Sequence, residues 1–149
     1  MVVRASIIKR LIALLFINIV VLSLPWLNAM TSDFDIKGEL PDRRIHVVGS
    51  RGRFIAYSHS ATKSKVISTG YYASIFNTLY AFKLNSKKYE SEQKPEFGLF
   101  LREHQTLFVA KLKHLQNNTY FFKTISADPK LGVIKVPVIL DGTLGLLSN

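Results

Sequence analysis

An almost unbroken apolar run from Leu11 to Leu24, preceded by Arg4, Lys9 and Arg10, divides this chain into two physically different parts. As a helix, 14 residues extend about 21 Å at ~1.5 Å per residue, short of the roughly 30 Å hydrocarbon core of a bilayer. Cations, a short apolar stretch, the helix breaker Pro25 and the small residue Ala29 follow one another in the order of a signal peptide. The first expectation is therefore a leader, residues 1–29, cut after Ala29. The alternative lets the helix continue through Pro25 and Trp26, so that residues 11–29 anchor the chain in an inner membrane with the cations on the cytoplasmic side. In both cases residues 30–149 are expected to form a single exported domain, periplasmic or secreted, and a membrane enters the partner list only if the leader stays uncleaved.

The chain contains no cysteine. That excludes disulfides, thiolate metal sites, a cysteine nucleophile and a lipid-modified N-terminal cysteine, and for an exported domain it favours a bacterial envelope setting. No cofactor is expected. His46, His59, His104 and His114 lack the spacing of a zinc site, so no metal is expected either.

Beyond the leader the charge is 17 Lys+Arg against 10 Asp+Glu, and its distribution matters more than its sum. Asp33, Asp35, Glu39 and Asp42 face one lysine, Lys37; from Arg43 to Tyr89 there are nine cations and no carboxylate; after that the balance is near neutral. A carboxylate-free block of this kind attracts anionic partners. Its first half supplies the candidate anion- or partner-binding residues Arg43, Arg44, Arg51, Arg53, Lys63 and Lys65, with the Gly49-Ser50-Arg51-Gly52-Arg53 loop as the sharpest presentation of backbone N–H groups and guanidinium forks. The chain carries no RRM, KH or helix-turn-helix signature, which ranks nucleic acid low among those partners.

Residues 33–40 alternate strictly, placing Phe34, Ile36, Gly38 and Leu40 on one face: a half-buried strand stopped by Pro41. The same four residues have the form of a strand able to pair into another subunit's sheet. Residues 43–48 and 53–58 read as a hairpin, residues 65–68 as the start of another strand, and 97–102, 106–113, 119–125 and 133–140 as further strands, the last demoted to an edge or bulged position by Pro137. From Gly70, apolar residues at steps of one, three and four (Tyr71, Tyr72, Ile75, Phe76, Leu79, Tyr80, Phe82) give a helical stripe closed near Asn85. The expected fold is α+β: a mostly antiparallel sheet of five to seven strands with one packed helix, after an N-terminal signal peptide.

Chemistry is sparse. Ser60-Ala61-Thr62-Lys63 has the Ser-x-x-Lys spacing of a lysine-activated serine, without the further motifs of a serine-lysine hydrolase. The carboxylates are too scattered to nominate an acid and base pair. The leading expectation is a non-enzymatic accessory or structural component of a bacterial envelope assembly, acting through protein contacts. Second comes an exported binding module for an anionic ligand such as a glycolipid or acidic glycan, and last a small serine-lysine hydrolase.

Overall fold

Helix α1 (Val2–Met30) is followed by eight strands: β1 (Asp33–Glu39), β2 (Arg43–Ser50), β3 (Arg53–Ser60), β4 (Lys65–Ile75), β5 (Thr78–Tyr89), β6 (Leu107–Gln116), β7 (Thr119–Ile125) and β8 (Lys135–Thr143). The structure is a computed structural model and describes residues 2–40, 43–60, 65–89, 106–125 and 135–148. Each strand pairs antiparallel with its neighbours in sequence, and β8 returns to β1 through pairs such as Ile36↔Leu140, closing the sheet into an up-and-down barrel. Closure gives every strand a partner on both sides, although on β5 the ladder with β6 covers only Thr78–Phe82.

The expectation of a mostly antiparallel sheet holds. The count of five to seven strands does not, because closure takes eight. The helix expected from Gly70 to Asn85 is also corrected: those residues form β4 and β5, joined at Phe76-Asn77. Tyr72 and Leu79 point inward, but Tyr71, Tyr80 and Phe82 remain apolar on the outer face, which hides the period of two and leaves spacings that imitate a helix. The β preference of Tyr, Phe, Ile and Thr decides the outcome once partners are present. Residues 97–102 lie outside the described residues. Pro137 sits inside β8, paired with Phe121 on one side, and on the β1 side pairing begins only at Val138. Its missing N–H therefore falls where that ladder has ended.

Alternation fills the interior. Phe34, Ile36, Phe54, Tyr72, Leu79, Ala110, Leu112, Val138 and Leu140 form the core with Ala29 and Leu144, and charged residues such as Lys37, Arg53, Lys111 and Lys123 lie outside. The interior is thus apolar, while the outer face mixes charged residues with exposed apolar ones such as Ile55, Tyr71 and Ile139. The Phe34 ring lies over Gly49, where a Cβ would meet ring carbon at 2.4 Å, and stands edge-on to Tyr72 with centroids 5.1 Å apart. This close packing belongs to the end of the barrel from which α1 emerges. There the connections are the two-residue turns Arg51-Gly52, Phe76-Asn77 and Asn117-Asn118. Arg51 and Gly52 take φ of 47° and 79°, the left-handed pair that matches the twist of a hairpin, in the place the sequence assigned to one.

Helix α1 is continuous through Pro25, and its segment Ile8–Met30, 23 residues of mean hydropathy 2.2, is long and apolar enough to cross a membrane. From Ile8 it is exposed along most of its length until its last turn, which enters the barrel base. Asn28 and Ala29 are buried there. Asn28 Nδ2 donates to Ser74 O (3.0 Å), Ser74 Oγ (3.1 Å) and Leu144 O (3.1 Å), while its Oδ1 accepts from Leu147 N (2.8 Å). Gly145, at φ 118°, allows this approach, since a Cβ there would lie 2.4 Å from Asn28 O. Ser32 Oγ donates to Ala29 O (2.6 Å) and hydrogen-bonds the buried Tyr72 hydroxyl. Burial holds that hydroxyl's pKa above its ordinary value, against the opposing pull of its bond to Ser32.

Candidate functional site

The packed core occupies only part of the barrel. Above it lies a cavity of about 250 Å³ that reaches towards the end opposite α1. Its floor and walls are apolar, built from Ile36, Val47, Phe54, Tyr72, Leu79 and Ala110, each the inward member of its strand's alternation. Towards the far rim the lining changes to Arg43, Ser58, Ser68, Lys83, Ser86 and Thr124. Ser68 Oγ and Ser86 Oγ are 3.3 Å apart across the β4–β5 pair, and Lys83 Nζ stands 5.7 Å from the centroid of the Phe108 ring. The site is thus amphipathic: an apolar sleeve, then hydroxyls, then two cations.

The placement of Ser86 on the same face as Lys83 depends on an irregularity. Gly70 pairs with Lys83 and Thr69 with Asn85, so Leu84 is an extra residue on β5. Such a bulge shifts the parity of everything beyond it, and two residues three apart then face the same side. Sequence reading missed Lys83, Ser58, Ser68 and Ser86 as lining residues. The available signal was inward parity on strands 53–60 and 65–68; for Lys83 the helical reading of 70–85 concealed its parity with Leu79 and Ala81, and for Ser86 the bulge erased it.

Of the five nominated cations among the described residues, the structure brings one to the cavity. Arg43 begins β2 and lines the rim. Arg44 points outward, its Nε 3.0 Å from Glu39 Oε1. Arg51 lies in the β2–β3 turn at the α1 end, and Arg53 stacks over Tyr71 on the outer face, 5.8 Å from its centroid. Lys65 lies over Tyr57 outside the barrel at 5.7 Å, and Lys63 falls outside the described residues. They do not form one patch. The most regular cation row lies elsewhere: Lys111↔Lys123 and Lys123↔Lys135 are direct cross-strand partners on β6, β7 and β8. Like charges directly opposite are destabilising.

Phe34, Ile36 and Gly38 of the nominated pairing strand face the barrel interior, with both edges of β1 occupied, by β2 and by β8. Leu40, just beyond β1, lines the cavity. Ser60 ends β3, and residues 61–64, Lys63 among them, lie outside the described residues. His46 Nε2 is 2.8 Å from Asp35 Oδ1, and Lys37 Nζ is 3.3 Å from the other oxygen. Burial pushes the Asp35 carboxyl pKa upward, but the bonds and charges of His46 and Lys37 together outweigh it and hold the pKa below its ordinary value. His114 Nε2 lies 2.7 Å from Asn117 O and its ring packs on Tyr120. His104 is outside the described residues. Among the described residues, no three His, Asp or Glu side chains converge as a metal site.

This geometry can enclose the apolar part of a small molecule and meet an anionic head at the rim. Comparison of the chain with protein-family models, with curated proteins and with solved structures finds no match.

Proposed function

We propose that this protein is a membrane-tethered binding module for a single-chain amphiphile with an anionic head, narrowing the anionic-ligand expectation to the carboxylate or phosphate of an acyl-type molecule. The observation that carries the reading is the half-filled barrel: dense packing at one end, and at the other an apolar cavity whose rim bears Arg43 and Lys83. Eight-stranded barrels have interiors that side chains just fill or that hold one small ligand. At about 250 Å³ the space lies below the ~300–1,000 Å³ of ordinary small-molecule pockets, which favours one slender chain over a ring system. Eight to ten buried methylenes at ~0.8 kcal/mol each contribute roughly 6–8 kcal/mol, the micromolar range before any headgroup contact.

The tether rests on the last turn of α1. A leader that is removed need not fit the mature fold, yet Asn28 and Ala29 are buried and Asn28 supplies four side-chain hydrogen bonds to the barrel. Cleavage after Ala29 would strip these out and leave Ser74 O, Leu144 O and Leu147 N without this partner. With Arg4, Lys9 and Arg10 on the cytoplasmic side, the barrel faces the exported compartment. The accessory-component reading has less behind it, since its nominated strand has both edges paired within its own barrel.

Displacement of a dansyl-labelled undecanoate from the full chain in nanodiscs, corrected with empty discs, tests the binding. Dodecanoate should displace the probe at micromolar concentration and dodecanol at least about tenfold less well, one charge-assisted contact being worth about 1.5–3 kcal/mol. Ala81→Phe, which fills the sleeve, should abolish saturable binding while the barrel stays folded. Equal binding by wild type and Ala81→Phe, or none by wild type, sinks the reading.

A further inference from the structure

The end of the barrel nearest α1 carries apolar side chains that the fold itself does not bury. Phe76 occupies the β4–β5 turn at φ 50° with 62% of its surface exposed. A bulky residue in the left-handed region, where glycine or asparagine sits more easily, is strained, and among the described residues no close packing accounts for it. Met30, Leu115, Leu146 and Leu147 are exposed at the same end, Leu146 at 83%. The tail that bears the last two is fixed in place. Leu146 N donates to Thr31 Oγ1 (3.2 Å) and Leu147 N to Asn28 Oδ1 (2.8 Å), so both leucines stand beside the exit of α1.

We infer that this end is a membrane-docking surface, with Phe76, Leu115, Leu146 and Leu147 inserted at the boundary between headgroups and acyl chains of the bilayer that α1 spans. The inference rests on the tethered reading of α1. Continuity commits it to lipid: among the described residues, the one segment long and apolar enough to cross a membrane leaves the barrel from this end and no other. Trp26, half exposed, lies four residues before Met30, about 6 Å along the helix. Tryptophan at the end of a spanning helix sits at headgroup level, and interfacial side chains bury ~5–10 Å deep, so the barrel base stands at the insertion depth that these residues need. Exposed Arg51, in the β2–β3 turn at this end, meets the lipid phosphates. The two-residue turns keep the whole base short enough to approach the surface.

The absence of native cysteine permits single nitroxide labels without background. Full-length F76C, L146C, L15C and K87C are each labelled and reconstituted in phosphatidylcholine–phosphatidylglycerol vesicles, and collision with oxygen is compared with collision with a water-soluble nickel complex. Labels at 76 and 146 should favour oxygen, as at 15 within α1, whereas the label at 87, on the far part of β5, should favour nickel. Labels at 76 and 146 that behave like 87 while 15 stays in lipid overturn the docking and leave the tether standing. A label at 15 that favours nickel overturns both.

Discussion

The two ends of this barrel are made by the same eight strands and yet are physically opposite. At the α1 end, three two-residue turns draw the strands together, Phe34 packs edge-on to Tyr72, and the Asn28 side chain stitches helix, β4 and tail into one base. At the far end the connections are longer in sequence, the lining turns from aromatic to hydroxyl and cation, and the interior holds a cavity. The difference teaches that a barrel of this size can divide its apolar interior between stability and binding. Side chains large enough to meet across the axis make a floor; smaller ones, Ala56, Ala81 and Ala110, leave a sleeve.

The sharpest way to break this contrast is to cut equally at both ends. Phe34→Ala should lower the unfolding free energy by about 3–5 kcal/mol in urea titrations, because its packed site cannot collapse. Val66→Ala, on the cavity wall, should lower it by about 1 kcal/mol or less. Equal losses would show that the far end is packed too. Next in size is Asn28→Ala, which leaves Ser74 O, Leu144 O and Leu147 N without their partner and should cost about 1–3 kcal/mol by thermal unfolding. No change would make the helix junction incidental and remove the support for a retained α1. The smallest effect concerns the outer face, which belongs to neither end. Because the Asp35 pKa is depressed in the fold, its contribution is fully present above the ordinary aspartate range and fades as pH falls through the lower folded value. Asp35→Asn should therefore cost at most about 1 kcal/mol near neutral pH, the range of exposed ion pairs, and flatten the acid limb of a stability–pH curve; an unaltered limb would remove Asp35 from that account.

Legibility followed the locality of the cause. The alternation of residues 33–40 and the Arg51-Gly52 hairpin could be read directly, since parity and turn chemistry are decided within a few residues. The β4–β5 pair could not. Apolar residues on both faces imitated a helix, which hid the parity that Lys83 shares with Leu79 and Ala81, and the bulge at Leu84 broke that parity before Ser86. Charge along the chain likewise did not report where the cations stand on the barrel. The carboxylate-free stretch drew attention to residues 43–65, whose cations scatter to both ends, while the lysines that stand opposite one another come from a stretch that looks neutral in sequence. Linear balance does not report cross-strand neighbours.

Sequence alone determined that the chain is built mainly of antiparallel strands, that it lacks thiol chemistry, and that it begins with a cationic and apolar segment. Each follows from composition or from a period spanning a few residues. Tertiary structure alone decided that the sheet closes, because the β1–β8 pairing joins residues about a hundred positions apart. It also decided that part of the apolar interior is a cavity, since a void depends on which side chains meet across the axis. Finally, it gave Asn28 and Ala29 a place in the barrel, turning the last turn of a sequence that reads as a removable leader into the base on which the fold stands.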